Sequence, residues 1–163
     1  MKLINVLAVL ALSALLAAIF WPVYSTNGRS SPVAFCMSQL KQQAIGFEMY
    51  RADADERYPN RDHWMDALFP YVKNEDLYHE PVRQTKAPQP STYGYAFNSN
   101  LSNAKAPKSA ETTPMVYDSV NPIRNASDPA VSLPSPGRHN GRDIIAYADC
   151  HAKAVKVGEL VVH

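Results

Sequence analysis

Charge is scarce in this sequence, and its distribution excludes more than its total. The net charge is +1 and only 19% of the 163 residues are charged, so no electrostatic footprint for nucleic acid is present. Between Leu3 and Gly28 no charged residue occurs at all. No P-loop, dinucleotide fingerprint or HExxH zinc motif appears, which leaves the common nucleotide and metalloprotease chemistries without sequence support. There is no internal repeat. Cysteine is limited to Cys36 and Cys150. An exported protein can hold such a pair as a disulfide, but spacing alone does not show that their Cα atoms come within reach. The length suits one modest head domain plus an anchor rather than two full domains.

What is present begins with a hydrophobic run. Residues 3–24 are almost wholly Leu, Ala, Val, Ile and Phe, and as a helix they would span about 33 Å against a hydrocarbon layer of about 30 Å. A cleaved signal peptide opens in the same way. This run is longer than a usual signal core, however, and Phe20-Trp21-Pro22 stands where a small-x-small cleavage site would close it. Trp21 and Tyr24 resemble interfacial aromatics. The expectation is a transmembrane anchor over 1–28, with Lys2 holding the N-terminus inside and the head outside the cytoplasm. Pro22 removes a backbone donor within this helix and is expected to kink it.

The remainder, 29–163, reads as an α+β head. Met37, Leu40, Ala44 and Phe47 recur at spacings of three and four, which predicts a helix over about 32–57 with one apolar stripe. Tyr58-Pro59-Asn60 stops it. A shorter helix is expected over 62–72, capped by Asp62 or Asn60. The loop-rich stretch 81–136 carries nine of the thirteen prolines and encloses two expected strands, 92–97 and 115–118. Asn140-Gly141 is a strong turn signal. Beyond it, 143–148 and 152–157 predict a C-terminal β-hairpin at about 143–157, its second strand alternating Lys with Ala and Val.

Three stretches, in order, carry a family resemblance. The first runs from Cys36 (CMSQLKQ) through Phe47 (FEMY) to Asp55 (DERYP). The second is Trp64 to Val72 (WMDALFPYV), with Tyr93-Gly94-Tyr95 and Asn98-Ser99-Asn100 beyond it. The third is His139 followed, after nine intervening residues, by Asp149. Together they resemble the pilin-like and pseudopilin proteins with a C-terminal "H-x9-DG" signature, found in type II secretion and type IV pilin-like systems. The resemblance implies a pilin-like α+β fold, in which a long N-terminal helix, its first half membrane-embedded, packs on a small antiparallel β-sheet head. In such helices a proline sits as Pro22 does. Counted back from Pro22, the family's Glu at the fifth mature position falls on Asn5, and its preceding Gly has no counterpart, so the processing motif is degenerate. The family's second cysteine corresponds to Glu80-Pro81 here, and its Gly after the motif aspartate is Cys150. One cysteine lost and one gained implies a relocated disulfide between Cys36 and Cys150.

Residues that invite chemistry have plainer readings beside them. His139, Asp149 and His151 are weak candidates for a metal site. Most of the steps from His139 to Asp149 are expected strand, which separates its ends by roughly 20 Å, and turn-fixing roles fit His139 and Asp149 better. Asp149-Cys150-His151 holds a thiol beside a base, but neighbours at a turn rarely converge on one point, and no oxyanion hole is recognisable. Asp53, Asp55 and Glu56 read as a solvated helix end rather than a calcium site. The sequence therefore predicts no enzyme, no cofactor, no small-molecule substrate and no metal. It predicts a pseudopilin-like structural or assembly protein of the bacterial inner membrane, single-pass, with its head in the periplasm. Its expected partners are the membrane and other pilin-like subunits or secretion and pilus components. The alternative is a stand-alone, membrane-tethered periplasmic binding module that has lost filament assembly.

Overall fold

A computed structural model of the chain describes residues 3–25, 32–79, 93–156 and 158–159, in two units, 1–31 and 32–163. The first unit is helix α1 (Leu3–Ser25). The expectation of a membrane-embedded half-helix is corrected here. Side chains are described without interruption only over 3–18, about 24 Å of helix against a hydrocarbon layer of about 30 Å. Among the described residues no helix is long and apolar enough to cross a membrane. The single-pass transmembrane reading and the inner-membrane localisation therefore lose their structural support. The side chain of Pro22 lies outside the described residues, as do 26–31, 80–92 and Thr92 of the expected first strand.

The second unit is built on α2 (Pro32–Asp53). Its apolar stripe follows the helical period: Leu40, Ala44 and Phe47 are fully buried and Met37 is partly so. The helix ends four residues short of its expected limit, at a turn where Asp55 and Glu56 take positive φ. Helix α3 (Trp64–Val72) starts two residues later than expected, with His63 at its N-cap and no capping side chain of its own. The orphan donor is met from a distance instead, because Met65 N–H donates to Asn125 Oδ1 at 2.8 Å. Gly46 sets the spacing of the two helices. A Cβ there would meet Val72 Cγ1 at 2.6 Å.

The sheet is five-stranded, in the order β3-β1-β2-β4-β5: β1 (Tyr95–Asn98), β2 (Pro114–Asp118), β3 (Ser127–Asp128), β4 (Arg142–Tyr147) and β5 (Ala152–Lys156). It is mixed, which corrects the expected antiparallel sheet. β3 lies parallel to β1 at one edge, while the other pairings are antiparallel. The single long helix of the expected architecture is likewise replaced by α1 and α2 in separate units. Alternation along the strands builds a core on each face. Tyr95, Phe97, Ile144 and Ala146 turn toward α2 and α3, where Phe47 stacks on Trp64 and on Phe97 with centroids 5.7 and 5.1 Å apart. Ala96, Tyr117, Ile145, Tyr147 and Val155 form the smaller core on the opposite face, under the segment that includes Ala126, Ala130 and Leu133.

Candidate functional site

The two motif residues His139 and Asp149 sit at opposite ends of β4, and each does local work of a different kind. Asn140 and Gly141, both at positive φ, make a two-residue reversal. His139 N–H donates to Arg142 O at 2.8 Å across it, and Arg142 N–H returns a bond to His139 O at 3.3 Å. This pattern is a primed hairpin turn, whose positive-φ positions favour Asn-Gly. The chain reaches the turn through Gly137, where a Cβ would stand 2.6–2.7 Å from the backbone of Arg142. The side chain of His139 is thereby carried into the interior.

There His139 joins a buried polar cluster. Its Nε2 lies 3.3 Å from Asp118 Oδ2, with both side chains sealed from solvent at 1% and 0% exposure. The same Asp118 Oδ2 accepts the N–H of Ile144 at 2.7 Å, while Asp118 Oδ1 has no hydrogen-bond partner among the described residues. Burial works against a charged imidazole, yet its pairing with the Asp118 carboxylate and with Cys36 outweighs burial and holds His139 up to about 10. Asp143 is buried beside them and accepts the N–H of Arg138 at 3.1 Å. Burial pushes its carboxyl up to about 6, in spite of that N–H and with help from the negative Asp118. Arg138 closes the group by donating to the carbonyls of Gly94, at 3.0 Å, and Ser119. Sequence reading missed Asp118, Arg138 and Asp143, since they are separated along the chain and belong to no short motif.

Asp149 lies in the β4–β5 turn. Its Oδ1 accepts the N–H of His151 at 3.1 Å, the pattern of an Asx-turn, and pairs with His151 Nδ1 at 2.5 Å. That pairing outweighs burial and holds the Asp149 carboxyl below the usual carboxylate range. His151 also stacks on Tyr147, centroids 4.4 Å apart. Cys150 occupies the left-handed position, φ 69°, with Cys150 N–H bonded to Tyr147 O and Tyr147 N–H to His151 O, each at 2.9 Å. This is a turn closed by a one-residue bulge, and its bulge position favours glycine.

These placements settle which of the predicted residues meet. Cys36 and Cys150 are both free thiols, so the expected disulfide is corrected. Cys150 Sγ contacts Ala44 O at 3.5 Å, and Ala44 lies about 12 Å along α2 from Cys36, beyond the reach of an S–S bond. The Cys150 thiol faces α2 rather than His151, and burial pushes it up to about 11, so it is neither paired with a base nor activated. Among the described residues no group of three or more His, Cys, Asp or Glu is placed to hold a metal ion, His139 and Asp149 being separated by β4. A shallow groove of about 160 Å³ lies between α2 and α3, walled by Gln42, Ile45, Met49, Tyr71, Val72 and Leu77. Its walls hold no carboxylate, imidazole or amine.

No family model, curated protein or solved structure matches this chain.

Proposed function

We propose that this chain is a structural or assembly subunit of the pseudopilin kind, in a type II secretion or type IV pilus-like machinery, and that it is not an enzyme. One observation carries the reading: α1 exposes apolar side chains around its whole circumference, from Leu3 at 76% through Leu10 and Leu15 to Trp21 at 77%. A helix that is apolar on every side requires cover from other apolar surface. The head supports the reading by what its polar groups do. Among the described residues, His139 and Asp118 lie in a buried polar cluster, Asp149 fixes a turn, and the Cys150 thiol faces α2 rather than a base. The partners are the same helix of other copies or the apolar helices of related subunits.

The test is a photo-crosslinking residue at Leu10 or Leu15 of the full chain in native cells. Adducts to a second copy, or to another small protein opening with an apolar helix, are expected. Adducts with neither would overturn the proposal. Asn5, where the resembled family carries Glu, favours a second reading: a stand-alone binding module that has lost assembly. That reading expects no subunit adducts, and Asn5→Glu creating them would support it.

A further inference from the structure

The buried cluster around His139 is more than packing, because it gathers charged groups from four separate parts of the head. Asp118 ends β2, Asp143 lies in β4, Arg138 and His139 belong to the loop leading into β4, and Cys36 lies in the second turn of α2. Every charged or titratable group facing the pair enters the balance. His139 faces Asp118, Cys36 and Asp143. Asp143 faces Asp118, Arg138 and His139, and Lys156 of β5 lines the same small cavity of about 60 Å³. Buried charges at such density are stabilising only when paired and hydrogen-bonded, and here the pairing is uneven. Asp118 Oδ1 is left without a hydrogen bond among the described residues, and the two carboxylates oppose one another.

We propose that His139, Asp118, Asp143 and Arg138 form a proton-operated latch, which holds the 134–141 loop and the first turns of α2 on the sheet and tightens as protons bind. The chemistry of the ring gives the direction. A protonated imidazole has two N–H donors and serves the Asp118 carboxylate and the Cys36 sulfur together, whereas the neutral ring has one N–H donor. Neutral Asp143 still accepts the Arg138 N–H and no longer repels Asp118. Both groups therefore favour their protonated forms in the folded head.

The sign follows from linkage. A group whose pKa is higher folded than unfolded stabilises fully below its unfolded value, and that stability is lost as pH rises through the folded one. For Asp143 the window runs from the ordinary 3.8 to about 6. For His139 it runs from 6.5 to about 10. The head is thus expected to grow less stable from pH 5 to pH 8.5, opposite to a protein held by ordinary surface carboxylates. The Cys150 thiol adds a similar loss only above its ordinary value of 9.0, outside this range.

The experiment is urea unfolding of the full chain in mild detergent, followed by tryptophan fluorescence, at pH steps between 5 and 8.5. The unfolding constant is expected to rise about fortyfold between pH 5 and 7, about tenfold of it through Asp143 and about fourfold through His139, and about twentyfold more to pH 8.5. Asp143→Asn, which mimics the protonated carboxyl, is expected to cut the first rise to about fourfold, and His139→Gln to leave about tenfold of the first rise and to remove the second. A wild-type constant that stays level or falls over this range overturns the latch, as does an Asp143→Asn variant with an unaltered first rise. Should either variant fail to fold, carbon-13 NMR titration of wild-type Asp143 decides the matter: a midpoint near 6 supports the latch and one near 4 overturns it. Crosslinking through α1 does not enter these readouts, so the latch stands or falls apart from the assembly proposal.

Discussion

Position 150 offers the sharpest test of how the β4–β5 hairpin is built. Replacing Cys150 by Ala and by Gly removes the same thiol, and with it the contact to Ala44 O, so the two variants differ in one methyl group. At φ 69° that methyl group crowds the backbone, and the left-handed conformation costs an L-residue roughly 1–2 kcal/mol. Glycine escapes this cost but gains conformational entropy in the unfolded chain, roughly 0.5–1 kcal/mol against it. The two terms do not cancel. Cys150→Gly is expected to be about 0.5–1 kcal/mol more stable than Cys150→Ala, or about 2–4 °C in Tm for a domain of this size. The order is the reverse of that in a helix, where Ala leads Gly by about 1 kcal/mol. Thermal melts followed by circular dichroism measure it directly. An Ala variant as stable as the Gly variant would refute the reading of this turn as a bulge that asks for glycine.

Three further outcomes follow from the packing. Because Cys150 meets α2 at Ala44, about two helical turns from Cys36, thiol titration of denatured, unreduced protein is expected to count two free thiols, and a reductant is expected to leave the unfolding curve in place. Gly137→Ala puts a methyl group 2.6 Å from the Arg142 backbone, which cannot rotate away. Urea denaturation is expected to show a loss of about 1–3 kcal/mol, the range for overpacking, and an unchanged midpoint would refute the close approach. Trp64 is fully buried and donates its indole N–H to Ala126 O at 3.0 Å. Trp64→Phe removes that bond, leaving Ala126 O with the Phe97 N–H alone, and opens a void beside Phe47, for an expected loss of about 2 kcal/mol or more together with weaker near-ultraviolet dichroism.

The sequence was legible wherever a local period or a fixed backbone conformation carried the information. Leu40, Ala44 and Phe47 are buried because they share one face of a helix, and three- and four-residue spacing is visible in any linear string. Asn140-Gly141 names its own turn, since few other pairs tolerate two consecutive positive φ angles. The absence of charge from Leu3 to Gly28 marks α1 as a helix in need of apolar cover. The resemblance to pilin-like proteins marked His139, Asp149 and the odd cysteine at 150, but it could not say what any of them touches.

Tertiary structure alone decided the rest, because the deciding contacts join residues far apart in sequence. The carboxylate beside His139 is Asp118, brought there by the antiparallel pairing of β2 with β4. β3 pairs with β1 over two residues, too short for any alternation to announce it, and this parallel edge makes the sheet mixed. The disulfide was inferred by counting cysteines. The rise of α2 forbids it, for Cys36 and the point where Cys150 lands are different places on the same helix. A sequence fixes period, turn chemistry and apolar supply, whereas the protonation of a buried histidine depends on which acid the fold sets against it and how thoroughly water is excluded from both.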